Sequence, residues 1–135
     1  MLDDDALLEG FEKGTIPARD FHHAEHVRVA WMYLRRYPLP DALARFIGSL
    51  KRFAAAHGLP GLYHETITIA FVLVIAERLD GTSQLSWSDF AAKNPDLLTW
   101  KPSILASYYT EETLASERAR RSFVMPDRIF RVGSS

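Results

Sequence analysis

Cysteine is absent from the whole 135-residue chain, so no disulfide staples the fold and no thiolate serves as metal ligand or nucleophile. A surplus of one charge is also missing: 16 basic residues stand against 17 acidic ones. That balance supplies neither the basic stripe of a nucleic-acid binder nor the acidic run of a disordered tail. The longest apolar run, Ile67 to Ala76, reaches about half the length of a membrane span, so no membrane partner is expected. Glycine-rich phosphate loops and a serine in a nucleophile elbow are lacking as well. The opening MLDDDALLEG is acidic where a signal peptide is basic, which makes a cytoplasmic location the expectation.

What the chain does have is hydrophobic content of 47 %, enough for one ordinary core, and we read residues 1–135 as a single helical domain. Leu7, Leu8 and Phe11 share one side of a short first helix that Gly14 ends. A long helix is predicted from Asp20, its candidate N-cap, to Tyr37, where Pro38 and Pro40 break the chain. Apolar residues then recur at three- and four-residue steps over 41–57, with His57-Gly58 as the stop. His57 suits that end because an imidazole complements the helix dipole.

The segment 62–79 is apolar almost all round. Its β-branched residues also suit a buried strand over Ile67 to Ala76, but its length without Gly or Pro favours a central helix. Ser86-Trp87-Ser88-Asp89 opens a further short helix that Asn94-Pro95 closes. Short helices follow, and then an extended tail over about 124–135. The fold class is therefore all-α: a compact helical bundle with three long central helices and an irregular C-terminal third.

Three of the five histidines fall within Phe21-His22-His23-Ala24-Glu25-His26. Projected at about 100° per residue, Glu25, Arg28, Arg35 and Arg36 occupy a solvent face, while His23, His26, Ala30 and Leu34 point inward. In 62–79, His64, Thr68, Phe71 and Ile75 face inward, Glu65 lies at the edge, and Thr66, Ala70 and Glu77 form an outer arc. His23 and His26 from one helix, with His64 and Glu65 from another, can meet at one point in a bundle. Three imidazoles and one carboxylate suit a divalent transition metal: Zn, Fe, Ni or Mn. With an open coordination position, such a site performs hydrolytic or transfer chemistry on a small molecule, Glu65 serving as ligand or base.

The alternative is a non-catalytic ligand-binding or protein-interaction domain in which the inward histidines are hydrogen-bonded core groups. Tyr63, Tyr108, Tyr109, Trp31 and Trp100 are candidate pocket residues on this reading, although aromatic residues at such spacings more often belong to the core.

Taken together, FHHAEHVRVAWMYLRRYP, LYHETITIA, NPDLL followed by SYYT, and ARRSFVMPDR resemble a family of short, uncharacterised bacterial proteins. That family carries F-x-H-x-x-H-x-x-x-A, Y-H-E-T-I-T, N-P-x-L, Y-Y and P-D segments in the same order. The resemblance runs from about Phe21 to Arg131. It places His23, His26, His64 and Glu65 on the motif positions and His22 on a variable one, and it supplies no reaction.

Overall fold

The structure is a computed structural model that describes residues 3–128. Among them are seven α-helices and no strand. Helix α1 (Asp4–Lys13) starts where the Asp3 carboxylate accepts from the Ala6 N–H at 2.7 Å. It ends at Gly14, whose φ of 69° is the left-handed conformation that lets the chain turn back sharply. Phe11 faces inward from α1 and stacks on Phe21 at 4.9 Å, with Phe53 at 5.5 Å and Phe46 at 6.0 Å. This aromatic knot ties α1 to the chain entering α2 and to α3.

Helix α2 spans His23–Arg36. Its start lies beyond the predicted Asp20, which sits in a short 3-10 turn (Ala18–Asp20). His22 takes the N-cap position, and the Glu25 carboxylate accepts from its backbone N–H at 2.7 Å. Val27, Val29, Ala30, Trp31, Met32 and Tyr33 are all buried, more than one face of a helix holds. The reason is position: α2 is flanked by α1, α3 and α4, so it is the central helix of the fold. Arg28, expected on a solvent face, is instead covered by α1, and its side chain, only 12 % exposed, pairs with Asp4.

Helix α3 (Leu39–Ala56) begins directly after Pro38, and Pro40 lies in its first turn, where an absent N–H leaves no broken bond. Its end at His57-Gly58, with Gly58 at φ 69°, matches the expected stop. Helix α4 (Glu65–Leu79) settles the ambiguous segment as helix. Its supposed outer arc is covered in part. Thr66 is fully buried because its hydroxyl donates to the Ser122 carbonyl at 2.8 Å and accepts from the Val124 N–H at 3.1 Å. Ala70 is buried in a small cluster with Phe71, Leu105 and Tyr109. Glu77 is exposed as expected.

Helices α5 (Trp87–Lys93), α6 (Glu111–Ala115) and α7 (Glu117–Arg121) are each capped by a hydroxyl, from Ser86, Thr110 and Ser116 respectively. Residues 123–128 run extended along the body, held by the Tyr109 hydroxyl on the Val124 carbonyl (2.6 Å) and by Asp127, which accepts from Thr110 and Thr113. The rest of the predicted tail lies outside the described residues. No helix among those described is long and apolar enough to cross a membrane.

An apolar hollow walled by four histidines

Helix α2 packs against both α3 and α4, while those two meet each other much less. The wedge this leaves is a hollow of about 600 Å³. From α2 it is faced by Val27 and Ala30, from α3 by Phe46 and Phe53, and from α4 by Ile67 and Phe71. Leu59, Leu62 and Trp100 sit at its rim, exposed by 41 %, 70 % and 46 %. Large apolar side chains left in water around an apolar depression are the signature of a surface that expects cover. Among its walls are four of the five histidines: His23, His26, His57 and His64.

Each of these imidazoles has a different environment. His64 is the N-cap of α4. Its Nδ1 accepts from the Ile67 N–H at 3.1 Å, and its Nε2 therefore carries the proton and donates to the Leu114 carbonyl at 2.7 Å. Both ring nitrogens are thus engaged. His23 donates through Nε2 to the Leu97 carbonyl at 2.8 Å, and its ring packs against Phe71 and Trp100. Burial lowers its pKa, partly opposed by the Leu97 bond.

His26 has no hydrogen-bond partner among the described residues; its ring meets the edge of Phe21 at 4.5 Å and turns toward the hollow. Dense protein on its other sides desolvates it, and the nearby His23 and His22 add a smaller effect, so its pKa falls to about 4. At neutral pH it is an uncharged ring with one N–H donor and one lone pair.

His57 was assigned the helix-end role from sequence, and it does close α3. Its ring, however, lies against Phe53 at 4.4 Å in the wall of the same hollow, and its buried Nε2 has no partner. The capping glycine was legible; the direction of the ring depended on where the chain after Gly58 goes. His22 projects into solvent as expected, 73 % exposed and 3.4 Å from Glu25.

Glu65 accepts from the Tyr63 hydroxyl at 2.5 Å, and burial followed by this bond raises the Tyr63 pKa. Of the four residues read as ligands to one ion, His23, His26 and His64 line the hollow and Glu65 does not; His23, His64 and Glu65 each bond elsewhere, and the His26 ring has no partner among the described residues. No group of three or more His, Asp or Glu among the described residues is arranged to hold a metal ion. Of the aromatic candidates, Tyr63 and Trp100 do line the hollow, while Trp31 and Tyr109 are fully buried core. One cationic residue reaches the wall: Arg120 of α7, whose Nη1 donates to the carbonyls of Gly61 and Tyr63.

Fold and site together define a small all-α protein built around an imidazole-lined apolar hollow. Compared with known proteins, the chain matches no family model, no curated protein and no solved structure.

Proposed function

We propose that this protein binds a small, mainly apolar molecule in the hollow between α2, α3 and α4. The observation that carries the proposal is the hollow itself, about 600 Å³ in volume and walled largely by aliphatic and aromatic side chains. Small-molecule sites fall in the range of roughly 300–1,000 Å³ and combine such walls with a few polar groups. The exposed rim of Leu59, Leu62 and Trp100 supports the same reading, since an occupant would take these side chains out of water.

Binding to a divalent transition metal through His23, His26, His64 and Glu65 is less well supported. It would require His64 to give up either the Ile67 N–H or the Leu114 carbonyl, and no three of these groups are arranged around one point among the described residues. A ligand-binding role leaves all these bonds in place.

Titration with naphthalene, followed by protein NMR, tests the proposal. Resonances of residues lining the hollow should shift saturably, and those of the α5 surface should not. Ala54→Phe, which places a ring into the hollow from α3, should weaken the binding. Absence of any saturable shift with naphthalene or its hydroxylated analogue would overturn the reading.

A further inference from the structure

Most polar groups in the wall are already satisfied. His64 uses both ring nitrogens, His23 has given its N–H to Leu97, and Thr68 donates to the His64 carbonyl at 2.7 Å. His57 Nε2 has no partner either, but it is wholly buried and presents no accessible surface to an occupant. His26 differs from all of these. Its ring is largely desolvated by protein, it has no side-chain hydrogen bond among the described residues, and it lines the hollow. A ring that lines an apolar hollow without a partner in the protein marks where a polar atom of the occupant belongs.

Resting on the binding role proposed above, we infer that the natural occupant is an uncharged, mainly apolar molecule bearing a hydroxyl or carbonyl group, whose oxygen is hydrogen-bonded by His26. A neutral imidazole offers one donor and one acceptor, which matches a hydroxyl on both counts and a carbonyl on one. A carboxylate fits this position poorly. The ring is held neutral by its surroundings, and a buried anion would need a cation beside it. The cation in the wall, Arg120, is exposed and already turned toward the Gly61 and Tyr63 carbonyls. Phe21, which touches His26, and Phe53, 4.8 Å from Phe21, offer flat faces that suit a ring-bearing occupant.

Three probes of equal body separate the possibilities: naphthalene, 2-naphthol and 2-naphthoate, each titrated into the intact protein near pH 7. The expected result is that 2-naphthol binds about five- to tenfold tighter than naphthalene, the increment of one buried hydrogen bond. In His26→Phe that preference should vanish, the ratio of the two affinities being the quantity read. A measurement on the wild type stands independently of the variant's folding. The ring-nitrogen resonances of His26 should move further on adding 2-naphthol than on adding naphthalene, with those of exposed His22 unmoved in both.

Equal binding of naphthalene and 2-naphthol by the wild type would overturn the His26 assignment while leaving the apolar binding site intact. So would an unmoved His26 ring. Tighter binding of 2-naphthoate than of 2-naphthol, lost in Arg120→Gln, would replace the uncharged ligand by an acid held at the rim. Failure of all three probes to bind would fall on the binding role itself.

Discussion

Replacing His64 by Ala removes two hydrogen bonds that the same ring makes in opposite directions. One caps α4 through the Ile67 N–H, and the other anchors the Leu114 carbonyl, near the end of α6. Loss of a helix N-cap costs about 1 kcal/mol. A half-buried carbonyl left without its donor adds about 1–2 kcal/mol. The expected loss is therefore about 2–3 kcal/mol, or roughly 10 °C in melting temperature for a chain of this size.

His64→Asn refines the test, because an asparagine oxygen can still accept from the Ile67 N–H but is too short to reach Leu114. It should recover about 1 kcal/mol of the loss. Urea denaturation monitored by circular dichroism, on protein stripped of metal with a chelator, measures all three forms. A His64→Ala variant within about 0.5 kcal/mol of the wild type would refute the capping role. An asparagine variant no better than alanine would do the same. The same proteins bear on the metal reading: Zn²⁺ should bind the asparagine variant about as well as the wild type, whereas a shared metal site would lose most of its affinity.

Protonation of His26 should destabilise the fold. Its folded pKa of about 4 lies below the ordinary 6.5, so the unfolded chain holds the proton more tightly and stability falls as pH drops from about 6.5 through 4. At 1.36 kcal/mol per pH unit this amounts to about 3 kcal/mol, with His23 acting in the same direction. Denaturation midpoints at pH 7 and pH 4.5 should converge in His26→Phe relative to the wild type. Thr66→Val removes the hydroxyl that joins Ser122 and Val124 to α4. It should cost about 1–3 kcal/mol and speed amide exchange at Val124 selectively. Gly14→Ala places a side chain at φ 69° and within 3.3 Å of Ala56. A loss of about 1 kcal/mol in thermal or urea unfolding is expected.

The helices were largely legible because their signals are local. Apolar residues at three- and four-residue steps, Ser86 before a helix, and Gly14 and Gly58 after helices depend only on neighbours in the chain. The inward projection of His23 and His26 was legible for the same reason; His64, expected inside a helix over 62–79, instead precedes α4 as its extended N-cap, yet faces the same space. Periodicity specifies which way a side chain leaves its helix but not what waits for it there.

The partners of these rings come from far along the chain. Leu97 lies 74 residues beyond His23, and Leu114 lies 50 beyond His64, so only the tertiary structure decides that a carbonyl completes each ring. The same holds for α2, whose burial on several sides follows from the elements packed around it, and for Thr66, covered by a segment more than fifty residues away. His57 looked local and was only half so: its backbone closes α3, but the space its ring enters exists because α3 and α4 diverge across α2. Secondary structure follows short-range sterics and hydrogen bonds, whereas a hollow is the volume left between elements, set by how all of them pack at once.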